Sequence, residues 1–403
     1  VTFRPRIAVL VCLLGLSPGT QAHWADAIAP VVDEFASETS KNDTSSPTET
    51  ASPVGKMVVS APPGWLEERV AIDGDSHQQD GDYRGELGLA ASDLTGLNDA
   101  LALNYRRSLA RSDAQTRGFG FDYSFPWRAG TIRVYGNMHE YERSAMNSER
   151  KYQVSGNNRA VNFSANRTLL STDNTVFGAV LGLGTRDSEY FVEGDRNDDA
   201  SRRFSTLRVE GRLRQYLALD TTATTSLMAE RGLEMFGADG DEQWSGEQRT
   251  EYRKYIFQSK LSKELWRWHY DLNGRYQFTP DILPGSQHVL AFSSGMMHGF
   301  AGQSLGASQG GWLRMNANSP WSPIFYVPGF RANLQLSVLK GWIPEDEVNQ
   351  SRHGSASAAE LGFNLRGDGL SAGFRVGTLL AASDDAAHRP DVPDMSLSLS
   401  FDL

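Results

Sequence analysis

The chain has 403 residues, with 39 Lys+Arg against 49 Asp+Glu and a formal net charge of −10, which excludes a broad basic footprint for nucleic acid. Mean hydropathy is −0.43, and no apolar run after the N-terminus approaches the ~18 residues of a transmembrane helix. With 39 Gly and 10 % aromatics the chain is too patterned for disorder, and short alternating strands, including those of an outer-membrane barrel, suit this mixture.

In chain order, residues 1–22 read as a secretory signal: basic Arg4 and Arg6, an apolar run from Ile7 to Leu16, and the cleavage site Thr20-Gln21-Ala22. A buried N-terminal helix is the alternative. The mature chain is expected to begin at His23. The single cysteine, Cys12, lies in the apolar run, so the mature chain is expected to have no disulfide and no thiol ligand.

Residues 23–66 divide in two. Trp24, Ile28, Val31, Val32 and Phe35 fall at helical spacing, so 24–38 reads as a short amphipathic helix, kinked or shortened by Pro30. It is a candidate pore plug, with a frayed tail as the alternative. Residues 39–63 are rich in Ser, Thr, Pro and acidic residues, the composition of a linker.

From residue 67 to 403 the chain alternates with period two. Trp268, Tyr270, Leu272, Tyr276 and Phe278 oppose His269, Asp271, Asn273, Arg275 and Gln277; Leu207, Val209 and Leu213 oppose Arg208, Glu210, Arg212 and Arg214. Sixteen strands are predicted: 67–73, 82–92, 98–108, 116–125, 130–141, 153–170, 175–187, 203–217, 221–232, 250–264, 267–280, 310–319, 329–341, 355–366, 369–381 and 394–403. Many are long enough to cross a bilayer when tilted. Short turns are expected near 96–98, 126–127, 171–173, 219–220, 320–323 and 367–368. Longer polar loops are expected at 74–81, 188–202, 233–248, 281–309, 342–354 and 382–392. Short turns at one end facing longer loops at the other is the outer-membrane pattern. The fold class is therefore all-β, a 16-stranded antiparallel transmembrane β-barrel behind a short N-terminal helix and linker, in the outer membrane of a Gram-negative cell.

The runs YRGELGLAASDLTGLNDALALNYRRSL and GFGFDYSFPWRAGTIRVYGNMHEYERS, followed by SSGMMHGFAGQSLGASQGGWLRMNANSP, resemble the barrel of two-partner-secretion transporters. These are the hemolysin activator and filamentous-hemagglutinin exporters (ShlB/FhaC/HecB-like) of the Omp85 superfamily. The resemblance covers about residues 65–403. It implies a barrel that exports a large β-helical client protein, with an inward loop 6 at 281–309. Relatives carry two periplasmic POTRA domains, and residues 23–66 are too few for one, so the chain is expected to lack them. The loop-6 tip of the family is V-R-G-[FY]; here it is Met297-His298-Gly299-Phe300. The acidic partners of the family Arg align with Asn316 and Leu339, on lumen faces. The tip is therefore expected to be held by neutral contacts in place of an ionic lock.

No enzyme constellation is present: GxSxG, HExxH and Walker loops are absent. Neither a cofactor nor a metal is expected. The acidic runs EGDRNDDA and GADGDEQ lack EF-hand ligand order and read as solvated loops. Arg208, Arg212, Arg214, Arg275, Arg366 and Arg375 are expected to line the lumen, with His269 as a solvated lining residue. These arginines either bias a pore towards anions or pair with Glu210, Asp271 and Glu360. The expected partners are outer-membrane lipid and lipopolysaccharide, a secreted client and a periplasmic partner. Three functions are open: an exporter, its activity reduced; a passive pore; and a structural or assembly barrel that no longer exports.

Overall fold

The computed structural model describes residues 66–75, 83–108, 114–146, 151–198, 201–239, 250–325, 327–349, 353–367, 370–383, 386–388, 390 and 393–401. The expected signal, amphipathic helix (Trp24, Ile28, Val31, Phe35) and linker lie outside these.

Sixteen long strands form one antiparallel sheet. They are β1 (Leu66–Asp75), β2 (Tyr83–Ser92), β3 (Ala100–Ser108), β4 (Ala114–Trp127), β5 (Gly130–Met146), β6 (Lys151–Thr172), β7 (Thr175–Val192) and β8 (Arg202–Leu217). The second half comprises β9 (Thr221–Leu233), β10 (Arg253–Leu265), β11 (Trp268–Phe278), β12 (Gly310–Asn318), β13 (Arg331–Ile343), β14 (Gly354–Gly367), β15 (Leu370–Ala382) and β16 (Asp394–Phe401). Each pairs with its neighbour in sequence. The ring closes between β1 and β16, from Ile72 opposite Leu399 to Asp75 opposite Ser396. Four residue pairs close this seam, while Leu66–Ala71 of β1 pair with β2 alone; closure is what lets a sheet cross lipid.

The alternation sets the two faces. Leu227, Phe257, Leu272, Leu313, Leu336, Leu361, Phe374 and Leu397 are exposed on the outer face, where lipid is their solvent. Their neighbours along the strands, such as Ser226, Asp271, Ser337, Glu360 and Arg375, are buried towards the lumen. Burying such groups in a closed ring is tolerable only with polar partners or water inside.

Six short turns connect the strands at one end, and there β12 and β13 are joined by the longer connection 319–330, in place of the short turn expected at 320–323. In the Leu-Thr-Gly-Leu-Asn-Asp turn, Asp99 Oδ1 accepts from the Thr95 N–H and hydroxyl, both at 3.0 Å, and Asp93 Oδ1 accepts from Asn98 N–H at 2.8 Å. The Thr95 N–H holds the Asp99 carboxyl below its ordinary pKa. Several boundaries differ from expectation. Pro126 and Trp127 belong to β4, and the chain reverses at 128–129. A further two-residue turn, Trp266-Arg267, has φ of 51° and 68°. It carries no Gly, Asn or Asp, but the outward-facing parity switches across it, from Phe257 and Leu261 to Leu272, where the expected strands 250–264 and 267–280 break. The strands β5 and β7 also extend past their expected ends, to Met146 and Val192.

Candidate functional site: the loop folded into the barrel

The connection between β11 and β12, residues 279–309, does not project from the barrel. It forms a two-stranded hairpin, Val289–Ser293 with Ser304–Ala307, carrying a turn at 294–303. Val289, Leu290, Ala291 and Phe292 are all buried. Phe292 and Phe300 stack with centroids 4.8 Å apart. They join Ala291, Met297 and Ala307 in one apolar cluster with the wall residues Leu339, Ile343, Ala356, Ala358 and Leu379. Burying each of the Phe, Met, Leu and Ile side chains contributes on the order of 1.5–3 kcal/mol, so β13–β15 offer the hairpin an apolar seat inside an otherwise polar lumen.

The tip is fixed by two carboxylates. Glu360 Oε2, on β14, accepts from the His298 backbone N–H at 3.0 Å, and His298 Nδ1 lies 2.6 Å from the same oxygen. Asp394 Oδ2, at the first residue of β16, accepts from the backbone N–H of Gly299 at 3.0 Å and of Ala301 at 3.1 Å. Arg375 lies beside Glu360, Nη1 3.9 Å from Oε1. Hydrogen bonds to a carboxylate are worth roughly 1.5–3 kcal/mol each. The expectation of a purely neutral tip is thus corrected. The aligned positions Asn316 and Leu339 indeed bear no charge, but carboxylates reach the tip from β14 and β16, two strands the alignment did not connect with it.

Asn316 and Leu339 still serve the loop. Asn316 Oδ1 accepts from Arg314 Nε at 2.8 Å, and Arg314 Nη1 donates to the carbonyl of Met296 at 2.7 Å. Leu339 is fully buried under the hairpin. Two glycines let wall and loop backbones meet. A Cβ on Gly341 would lie 1.9 Å from the Ala291 carbonyl oxygen, and one on Gly377 would lie 2.1 Å from the His298 carbonyl carbon. Gly299 itself has φ +114°, a conformation that favours glycine.

The base of the loop has its own anchor. Lys254 on β10 is buried, 2.7 Å from Glu230 Oε1, and donates to Gln287 Oε1 at 2.8 Å. The Tyr252 hydroxyl donates to Glu230 at 2.9 Å, and Leu283 packs with Phe204 and Tyr252. Lys254→Met leaves the largely enclosed Glu230 without its nearest cation. We expect a loss of about 3–5 kcal/mol, read as a lower temperature at which the folded form is lost on unboiled SDS gels. The double variant K254M/E230Q is expected to regain part of it.

The remaining lumen residues form local pairs. Arg212 Nε donates to Glu210 at 2.8 Å, Arg208 Nη2 to the Tyr135 hydroxyl at 3.3 Å, and Arg133 Nε to Asp122 at 2.8 Å. Arg214 lies over the Tyr216 ring. Asp271 takes Lys260 at 3.1 Å, His269 Nε2 at 3.2 Å and the Ser262 hydroxyl at 2.6 Å. His269 Nδ1 also lies 2.8 Å from Glu264. Arg275 is buried and donates to Gln277 at 3.5 Å. Arg366 is exposed near the short-turn end, in register with Arg331. Of the residues singled out from sequence, the fold therefore joins the tip residues 297–300 with Glu360, Arg375, Asn316 and Leu339, and it leaves the other lumen residues along the wall. Sequence reading missed Asp394, Arg314 and Lys254. Gly341 and Gly377 carried a usable signal, because a glycine inside a strand marks a close backbone approach.

Comparison with known proteins agrees with this architecture. The family model of haemolysin secretion/activation proteins ShlB/FhaC/HecB matches residues 61–365. The outer membrane transporter CdiB-2 of Burkholderia pseudomallei is 24 % identical over 288 residues, covering 68 % of this chain and 48 % of that protein. The outer membrane transporter CdiB of Escherichia coli is 22 % identical over 336 residues, covering 81 % and 56 %. The solved structure of CdiB from Escherichia coli superposes with a TM-score of 0.76 at 17 % identity, covering 87 % of this chain and 68 % of that one. CdiB from Acinetobacter baumannii gives 0.67 at 18 % identity, covering 84 % and 60 %. The chain thus spans about half the length of the curated relatives it matches.

Proposed function

Because this chain belongs to the haemolysin secretion/activation family ShlB/FhaC/HecB, an outer-membrane transporter family and not an enzyme family, we propose that it exports a secreted or surface protein through its barrel. The observation that carries the reading is the loop seated on one wall by separable contacts. Two carboxylates, four tip N–H and imidazole contacts, and an apolar seat hold it. On the facing wall Arg212 is paired with Glu210 and Arg208 is hydrogen-bonded to the Tyr135 hydroxyl, so an extended client passes polar groups that already have partners. The client in this reading is β-helical, delivered by a periplasmic partner.

The test co-expresses the full chain with the N-terminal secretion segment of a two-partner client in cells lacking other such transporters. The expected result is client in the medium, accessible to added protease. Client retained in the periplasm, while the purified barrel conducts ions, would instead favour the passive pore.

A further inference from the structure

Two pairs of arginines stand directly opposite one another on the lipid-facing side of the sheet. Arg107 on β3 faces Arg117 on β4, and Arg231 on β9 faces Arg253 on β10. Like charges in directly opposed positions destabilise a strand pair. Both pairs sit at the long-loop ends of their strands, the end opposite the short turns. Each lies one pleat repeat beyond an aromatic on the same face, Tyr105 with Phe119 in the first case and Tyr255 with Ala229 in the second. Tyr105 and Phe119 are exposed, as befits an aromatic girdle at the membrane interface. The arginines therefore stand at the height of the outer-leaflet headgroups.

Acidic neighbours do not use them up. Glu140 pairs with Arg117, Glu251 Oε2 with Arg231 at 2.9 Å, and Asp281 Oδ1 with Arg253 at 3.2 Å. Among the described residues no carboxylate pairs with Arg107. The guanidinium side chains of Arg117, Arg231 and Arg253 remain 63 %, 56 % and 57 % exposed. A guanidinium presents five N–H donors, of which a single carboxylate takes two at most. The first pair thus keeps donors turned towards the lipid surface, the second keeps both guanidinium groups more than half exposed, and one phosphate set between two such forks relieves their mutual repulsion.

We propose that Arg107–Arg117 and Arg231–Arg253 are two seats for the phosphate groups of an outer-leaflet glycolipid, with Tyr105 and Phe119 against its acyl chains at the first seat. Arginine is the side chain suited to bidentate phosphate recognition, and clustered basic residues at a membrane surface bind anionic headgroups.

The probe is lipid A with both phosphates, compared with the same lipid after both are removed. Each is offered to the full chain in detergent, and retained lipid is counted by native mass spectrometry. The phosphorylated lipid is expected to be retained about ten-fold better, the effect of ~1.4 kcal/mol. The double variant R107Q/R117Q loses one retained lipid, and the quadruple variant with R231Q/R253Q loses both. R107K/R117K, which keeps the charge but not the fork, retains part. Excess inorganic phosphate leaves the lipid bound. Equal retention of the two lipids by the unmodified chain overturns the proposal without recourse to any variant. Undiminished retention by a folded quadruple variant, or displacement by inorganic phosphate alone, overturns it as well.

Discussion

Replacing Gly377 by Val is expected to unseat the loop and enlarge the pore. Gly377 lies on a regular strand, paired with Glu360 and Asp394, and has no unusual dihedral to lose. The effect is purely one of approach, because its missing Cβ faces the backbone of His298 at 2.1 Å and the Gly299 nitrogen at 2.5 Å. Neither partner is a flexible side-chain end, so the tip must move away as a unit. Overpacking of this kind costs roughly 1–3 kcal/mol even in side-chain contacts. Here the tip also forfeits its bonds to Glu360 and Asp394. The barrel itself should persist as a folded species on unboiled gels, since the outer-face pairing of β14, β15 and β16 is untouched. Single-channel conductance in planar bilayers is the measurement. An increase over the unmodified chain is expected, together with new protease cleavage within residues 294–303. Unchanged conductance would show that the tip does not occlude the lumen.

The second large effect is expected from removing the two carboxylates together. E360A/D394A deletes the acceptors of three backbone N–H groups and of the His298 imidazole. The N–H donors of Gly299 and His298 would then lie in a buried site with nothing to accept them. At about 1–3 kcal/mol for each unsatisfied buried donor, the seated form should lose on the order of 3 kcal/mol, or ~100-fold in its population ratio. The single variants are expected to show less, and the pair to be non-additive, because both acceptors hold one turn of three residues. Conductance and protease sensitivity of the tip again report the outcome. Isosteric E360Q and D394N keep an acceptor oxygen and should lie between the extremes. If the alanine pair behaves as the unmodified chain does, the apolar seat formed by Leu339, Ile343 and Leu379 holds the loop with the Arg314 and Lys254 contacts.

Much of this protein is written locally. Period-two alternation is a property of neighbouring residues, so the sequence by itself determines the strands, their number, and which side chains face lipid or lumen. An even count with alternating short and long connections determines the barrel. Glu360 and Arg375 were legible as lumen residues for that reason, as were Asn316 and Leu339. The face is legible, but the height along the barrel and the reach of an inward loop are not. His298 meets Glu360 across 62 positions of sequence and Gly299 meets Asp394 across 95. Only the closure of the ring, with β16 turned back beside β1, brings β14, β15 and β16 around the tip from one side. The tertiary structure therefore decided which carboxylates hold the loop, why Gly341 and Gly377 lack side chains, and that Lys254 secures the base. Each of these is a contact between a loop and a distant wall. Their energies come from burial and hydrogen bonding that exist only once the ring has closed.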